Sequence, residues 1–210
     1  MKKVIFGVFT LLMLALSIPT NAQMRWGVTA SANFTDLKWS QSSLRTTKFN
    51  SDVSVGYSAG VIGEYSIPGI GFGIDLGLQY AQRGATMDLG DFKVWNSDGF
   101  GNERAYLHYL EIPIHLRFKY SNLNGFERKL APLIFVGPSL SILLTSNKIA
   151  AFETRPVDFG MEVGGGAEIF RNTQLTLSYN WGLSEAIRTV KLDNFKANNR
   201  TWKVSLCYFF

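Results

Sequence analysis

The stretch Gln174-Leu175-Thr176-Leu177-Ser178-Tyr179-Asn180-Trp181-Gly182-Leu183 alternates polar or small residues with large apolar residues and has no break. Successive side chains of a β-strand point to opposite faces of the sheet. The stretch therefore predicts a strand with one apolar face and one face made of polar residues and glycine.

Seven further stretches alternate in the same way, and one of them, 133–144, is less regular than the others. An apolar row on every strand, with turn signals at even spacing, favours a closed all-β barrel. The eight predicted strands are 26–34, 53–65, 71–82, 110–120, 133–144, 159–170, 174–183 and 201–210.

The connections between these strands alternate in length. Long polar connections are predicted at 35–52, 84–104, 147–157 and 184–199, and short ones at 66–70, 121–131 and 171–173. Membrane barrels carry short periplasmic turns, longer extracellular loops and an even number of strands. We therefore expect an eight-stranded antiparallel up-and-down transmembrane β-barrel with both termini on the periplasmic side.

The N-terminus has the features of a secretory leader. Lys2 and Lys3 precede an apolar stretch, 4–18, which is too short to span a bilayer comfortably, and Thr20-Asn21-Ala22 offers small residues for cleavage. We expect a signal peptide at 1–22, cleaved after Ala22, and one outer-membrane β-barrel domain at 23–210. The alternative is an uncleaved membrane anchor, which the helix-breaking Pro19 and the cleavage pattern disfavour.

Charge and cysteine content exclude several classes of protein. The formal net charge is +5, or +3 without Lys2 and Lys3, and the basic residues are spread along the chain. Because no basic run is interleaved with aromatic residues, we expect no nucleic-acid partner. The single cysteine, Cys207, rules out an intramolecular disulfide and lies too far from the leader to carry a lipoprotein anchor.

A soluble, lipocalin-like barrel would show the same alternation with the apolar row turned inward. Two features favour outer-membrane lipid around the barrel instead. Aromatic residues stand at the ends of the apolar rows, as in interfacial girdles, and the polar rows are rich in glycine and poor in lysine. The aromatic residues are Trp26, Phe34, Tyr57, Tyr65, Phe72, Tyr80, Phe118, Tyr120, Trp202 and Phe210.

The last strand has a further property. Trp202, Tyr208 and the terminal Phe210 lie on its apolar row. An amphipathic strand with a terminal aromatic residue resembles the C-terminal signal that is read by the outer-membrane barrel assembly machinery. We therefore expect this machinery to be a partner during biogenesis.

Three segments carry a family resemblance. They are Tyr109-Leu110-Glu111-Ile112-Pro113-Ile114-His115-Leu116-Arg117-Phe118, Phe135-Val136-Gly137-Pro138-Ser139, and the glycine-rich segment 159–168. In this order they resemble the Bacteroidota outer-membrane β-barrel family, often called PorT-like. The resemblance implies an eight-stranded barrel of the OmpX/OmpA type in a Bacteroidota-type bacterium. Some members of that family are linked to type IX secretion, most have no assigned activity, and the motifs mark a fold and not a catalytic site.

The inward rows collect charged residues. An eight-stranded barrel has an interior about wide enough for side chains to fill, and ionised groups there must pair. We expect a structural charge network in which Arg117 and Lys119 pair with acids such as Glu64 and Asp75. The alternatives are an ion or proton path and a catalytic acid and base. The predicted inward residues are Glu64, Asp75, Glu111, His115, Arg117, Lys119, Glu162, Glu168 and Lys203.

Catalytic and metal signals are weak. Glu111 and His115 are on the same face of a strand but ~13 Å apart along it, and no His-x-Ser is present. His108, near the outer rim, is expected in the aromatic belt. The segment 96–99 resembles part of a calcium loop but has Val94 in place of the first acidic ligand. We therefore predict no catalytic residue, metal or cofactor, and no enzymatic activity.

Phe92, Trp95 and Phe100 are large apolar residues in a polar predicted loop. They are candidates for contact with a protein or glycan partner, and alternatively they pack on the barrel mouth or insert into the outer leaflet. The main hypothesis is thus a non-enzymatic outer-membrane scaffold for extracellular loops, with a structural, interaction or secretion-supporting role. A narrow channel and a lipid-modifying outer-membrane enzyme are the alternatives.

Overall fold

The computed structural model describes residues 23–41, 51–67, 70–88, 102–120, 129–147, 152–184, 187–189 and 195–210. Within them, no helix is both long and apolar enough to cross a membrane. The strands are β1 (Gln23–Gln41), β2 (Ser51–Ser66), β3 (Phe72–Asp88), β4 (Asn102–Lys119), β5 (Leu130–Ser146), β6 (Phe152–Thr154), β7 (Val157–Ile169), β8 (Thr173–Gly182), β9 (Ile187–Thr189) and β10 (Phe195–Phe209).

Eight of these strands form a closed antiparallel ring. Their order is β1, β2, β3, β4, β5, β7, β8 and β10, and β10 pairs with β1 to close the barrel. The closing ladder runs from Gly27 opposite Phe209 to Gln41 opposite Phe195. The predicted eight-stranded antiparallel barrel is therefore confirmed. The short strands β6 and β9 stand outside the ring, since β9 pairs with β10 and with β6.

The two faces of each strand differ as the alternation requires. On β8, Leu177 is 52% exposed on the outer wall and Ser178 is 2% exposed in the lumen. The same pattern runs around the ring, with large apolar side chains outside and charged or hydroxyl side chains buried inside. A soluble barrel has the opposite arrangement, so the structure favours the membrane interpretation of the pattern.

The strands are longer than the predicted ones. We refer to the end of the barrel with Gln23, Phe210 and the β2–β3, β4–β5 and β7–β8 connections as the turn end, and to the opposite end as the loop end. At the loop end, parts of all four predicted long connections are β-strand: 35–41 and 51–52, 84–88 and 102–104, 152–154, and 187–189 with 195–199. Those predicted loop bounds were wrong. Hydrogen bonds between the strands continue beyond the part of the wall whose outer face is apolar. Beyond that level the sequence no longer alternates with a period of two, so the pattern cannot show that the strands continue.

Two inner residues shape the space in the middle of the lumen. Pro113, which lacks an N–H, faces Gly77, and the β3–β4 ladder skips two pairs there. On the adjacent strand β5, the ring of Phe135 lies so close to Gly164 on β7 that an added methyl group would overlap it. Glycine on the inner row is therefore what allows a large side chain from β5 to fold across β7.

Candidate functional site in the barrel lumen

The turn-end cluster is a group of ion pairs centred on Glu64, whose side chain is fully buried. Arg25 Nη2 lies 2.7 Å from Glu64 Oε1, and Arg117 Nη1 lies 2.6 Å from Glu64 Oε2. The Arg117 guanidinium also approaches Asp75, with Nε 3.3 Å from Oδ1. These residues are close because β1, β2, β3 and β4 are neighbours in the ring and place them on the inner row at the same end.

Glu168 extends the turn-end cluster to the other side of the lumen. Its carboxylate lies 2.6 Å from Arg25 Nη2 and 3.1 Å from Lys119 Nζ. Gln174 Nε2 donates to both Glu64 and Glu168, at 2.9 and 3.0 Å. The cluster thus joins β1, β2, β3, β4, β7 and β8, and among the described residues it contains three cationic and three carboxylate side chains.

The mid-barrel cluster is the second group, further towards the loop end. Lys203 Nζ donates to Glu111 at 2.8 Å and to Glu162 at 3.2 Å. Arg83 Nη2 donates to Glu111 at 2.6 Å, and its guanidinium carbon lies 5.7 Å from the centre of the Tyr109 ring. Lys203 is on β10 and Glu111 is on β4, which are on opposite sides of the ring. This pair therefore crosses the full width of the lumen.

His115 lies between the two clusters. Its ring stacks on Phe135 with 4.7 Å between ring centroids, and its Nε2 is 3.7 Å from Glu162. A cavity of about 50 Å³ beside it is lined by Asp75, Glu162, Lys203 and other inner residues. Such a volume with polar walls holds a few water molecules at most. The two clusters and this small cavity together fill the middle of the barrel.

Pairing is what makes so much buried charge tolerable. Removing a carboxylate or ammonium from water costs several kcal/mol per ion, even after the protein relaxes. In each cluster carboxylates contact two or more donors, so the Coulomb attraction and hydrogen bonds offset this desolvation. The arrangement predicts that the loss of one partner destabilises the barrel more than the loss of an ion pair as a whole.

All nine residues predicted on the inward rows lie on the inner wall, and the structure brings all but His115 into the two clusters. Glu111 and His115 are linked through Lys203 and Glu162. The first cluster holds Glu64, Asp75, Arg117, Lys119 and Glu168, the second holds Glu111, Glu162 and Lys203, and His115 lies between the two, next to Glu162.

Sequence reasoning missed four inner residues: Arg25, Arg83, Asp158 and Gln174. Arg25, Arg83 and Asp158 lie one residue beyond a predicted strand end, so their parity was not used. Asp158 accepts hydrogen bonds from Ser184 and Asn199, both at 2.7 Å. Gln174 is inside a predicted strand but carries no charge. Continuing each alternation by one residue identifies the first three.

The contacts around His115 do not have the order of a catalytic triad. In a triad the histidine lies between the serine and the acid. Here Ser178 Oγ donates directly to Glu162 at 2.6 Å, and His115 approaches the same carboxylate from another direction. His108, the other histidine, faces outward and bonds through Nδ1 to the Tyr80 hydroxyl at 2.5 Å, whereas its neighbour Tyr109 is buried inside.

The remaining predicted sites lie elsewhere. Trp202, Tyr208 and Phe210 are on the outer wall and more than half of each of Trp202 and Phe210 is exposed. The backbone N–H of Phe210 donates to the Trp26 carbonyl at 2.9 Å, which ties the end of the chain to β1. Phe92, Trp95 and Phe100 lie outside the described residues. Among the residues that are described, no three His, Cys, Asp or Glu side chains are grouped as metal ligands would be.

The turn-end cluster gives a testable expectation for stability. Glu64→Gln should lower the free energy of unfolding by ~3–5 kcal/mol, because it leaves the buried Arg117 and the partly buried Arg25 without their shared carboxylate. The double variant Glu64→Gln/Arg117→Gln should cost less than the sum of the two single variants. Urea unfolding of the refolded barrel in lipid vesicles, followed by tryptophan fluorescence, measures both quantities.

Lys129→Gln is the matched control, since Lys129 is an exposed cation at the same end; its effect should stay within ~0.5 kcal/mol. Unchanged stability in both Glu64→Gln and Arg117→Gln would show that the cluster does not support the fold.

Comparison with known proteins agrees with this architecture. OprG from Pseudomonas aeruginosa has a similar structure, with a TM-score of 0.50 and 11% identity over 90% of this chain and 95% of that one. The outer membrane enzyme PagL gives 0.48 and 9% over 87% and 98%, and Neisserial surface protein A gives 0.46 and 13% over 91% and 100%. At these identities the likeness concerns the fold alone.

The family is shown by sequence. No curated protein matches the chain. Residues 20–188, which are most of the chain, match the family model described as outer membrane protein beta-barrel domain. The chain therefore belongs to the outer membrane protein beta-barrel domain family.

Proposed function

We propose that this protein is a non-enzymatic outer-membrane barrel with a closed lumen, which acts as a scaffold for the segments at its loop end. The observation that carries the proposal is the Lys203–Glu111 pair. It joins opposite strands of the ring at 2.8 Å, and Lys203 also reaches Glu162. An open pore of useful width cannot coexist with side chains that cross it.

Other contacts support a closed lumen. Arg25 on β1 reaches Glu168 on β7, and Gln174 on β8 reaches Glu64 on β2. These strands are separated by at least two others in the ring. The lumen is thus crossed at two levels, and the cavity between them has room only for a few water molecules. The same filling argues against an enclosed substrate site, and the order of the Ser178, Glu162 and His115 contacts argues against a hydrolase.

Conductance tests the closed lumen. The purified protein should show no stable unit conductance in planar lipid bilayers. Glu111→Ala/Lys203→Ala combined with Arg25→Ala/Glu64→Ala removes the crossing contacts at both levels without changing the net charge, and this quadruple variant should show discrete openings. Both proteins must first show the heat-dependent shift in gel migration of a folded barrel. A stable conductance of the unaltered protein would contradict the proposal.

The loop end offers the surface for interaction. β1 and β10 remain paired as far as Gln41 and Phe195, seven residues beyond Phe34 and Trp202. At ~3.3 Å per residue, this extends the wall by roughly 20 Å along the strands. We propose that this rigid extension presents the connecting segments, and that Phe92, Trp95 and Phe100 contact a protein or glycan partner there.

A triple alanine variant of Phe92, Trp95 and Phe100 should lose most of a partner that the unaltered protein retains when it is cross-linked on intact cells and purified. Such residues at the centre of an interface typically contribute ~2 kcal/mol or more each. The folded gel shift must be preserved. Equal recovery of the partner by both proteins would refute the contact.

We also propose a route of biogenesis and a narrower family. The leader 1–22 directs export, and Trp202, Tyr208 and Phe210 form the assembly signal, supported by their position on the outer wall of the closing strand. N-terminal sequencing of the membrane-inserted protein should read Gln23; a start at Met1 would indicate an anchor.

The motifs 109–118, 135–139 and 159–168 support membership of the PorT-like Bacteroidota branch, and occurrence of this chain mainly in other phyla would contradict that placement.

A further inference from the structure

A shallow groove lies on the outer wall, close to the aromatic residues at the loop end of the apolar rows. Its base is an aromatic row that crosses three neighbouring strands. Tyr179 on β8 is opposite Trp202 on β10, and Trp202 is opposite Phe34 on β1. The rings of Tyr179 and Trp202 are 4.9 Å apart between their centroids. Phe34 and Trp202 are 39% and 52% exposed, so the row presents a continuous apolar surface to lipid.

A charged pair lies at the loop-end edge of the same groove. Arg200 and Asp36 are opposite each other in the β10–β1 ladder and line the groove together with the aromatic row. Asp36 follows Phe34 by two residues and Arg200 precedes Trp202 by two, so both share the outer face and not the lumen. Two residues of strand span ~7 Å at most. The charged pair is therefore at the depth where an aromatic girdle gives way to lipid headgroups.

We propose that this groove binds a phosphate-bearing lipid of the outer leaflet, with the phosphate on Arg200 and an acyl chain along Trp202 and Phe34. A guanidinium group can donate two parallel hydrogen bonds to a phosphate. The aromatic rings supply the apolar surface that the adjoining chain requires. This proposal depends on the outer-membrane location of the barrel and does not depend on the lumen being closed.

Asp36 is expected to oppose the binding of the phosphate. A carboxylate directly across the ladder from Arg200 repels the same phosphate, because opposite positions in an antiparallel pair are ~5 Å apart. The groove is thus tuned to a single phosphate next to a neutral or positive group and not to a dense anionic surface. Removing the carboxylate should strengthen the binding of a phosphorylated lipid, while removing the guanidinium should weaken it.

Native mass spectrometry of the full barrel in a neutral detergent tests the site. The probe is monophosphorylated lipid A, compared with the same lipid after its phosphate has been removed. Arg200→Gln should bind the phosphorylated probe about tenfold more weakly, as expected for loss of a charge-assisted hydrogen-bonded contact. Arg200→Lys should retain part of the binding, and Asp36→Asn should bind roughly threefold more tightly.

Arg171→Gln serves as the control, since Arg171 is an exposed arginine at the turn end, remote from the groove. It should bind as the unaltered protein does, and every variant must show the folded gel shift. Equal affinity of Arg200→Gln and the unaltered protein would overturn the proposal. Equal affinity for the dephosphorylated lipid would overturn it too, because the phosphate would not be recognised. Neither result would affect the closed lumen, which conductance tests separately.

Discussion

The structure depends on one constraint: every backbone N–H and C=O group at membrane depth must be bonded within the protein. A sheet meets this requirement only if its two edge strands pair with each other. Here β1 and β10 do so over an uninterrupted ladder from Gly27 to Gln41, and the Phe210 N–H adds a bond to the Trp26 carbonyl beyond it. Closure then dictates the rest, since a ring of eight strands has one wall that meets lipid and one narrow interior.

The narrow interior explains the charge clusters. With eight strands the lumen must be filled by side chains. Most of the large apolar side chains lie on the outer wall. The inner rows therefore combine long charged residues with glycines that give them room. Glu64 illustrates the result, because Arg25, Arg117 and Gln174 converge on it from three strands. Such convergence fixes which strands are neighbours and in what register, which alternation by itself leaves open.

Much of this could be read from the sequence, and the limit has a physical reason. Period two separates inside from outside, so the inward position of Arg117, Glu162 and Lys203 was accessible without coordinates. The period-two pattern carries no information about register. The contact between Lys203 and Glu111 across the lumen could therefore not be predicted from the sequence. The pattern also fades where both faces of a strand are polar. For that reason the paired extension at the loop end was predicted as loops, whereas Arg25, Arg83 and Asp158 were missed because the predicted strands stopped one residue short of them.

The same change of pattern marks where functions separate. Below Phe34 and Trp202, alternation is strict because one face meets hydrocarbon, and substitutions there act on stability. Beyond that row the wall no longer meets hydrocarbon, so partly buried charged residues such as Asp36 and Arg200 are tolerated on the outer face. Residues beyond the row neither meet hydrocarbon nor fill the lumen, and the paired strands still hold them in place. A rigid barrel with a filled interior thus leaves its chemical variety to the headgroup level and the loop end, and the binding functions proposed for this protein are located there.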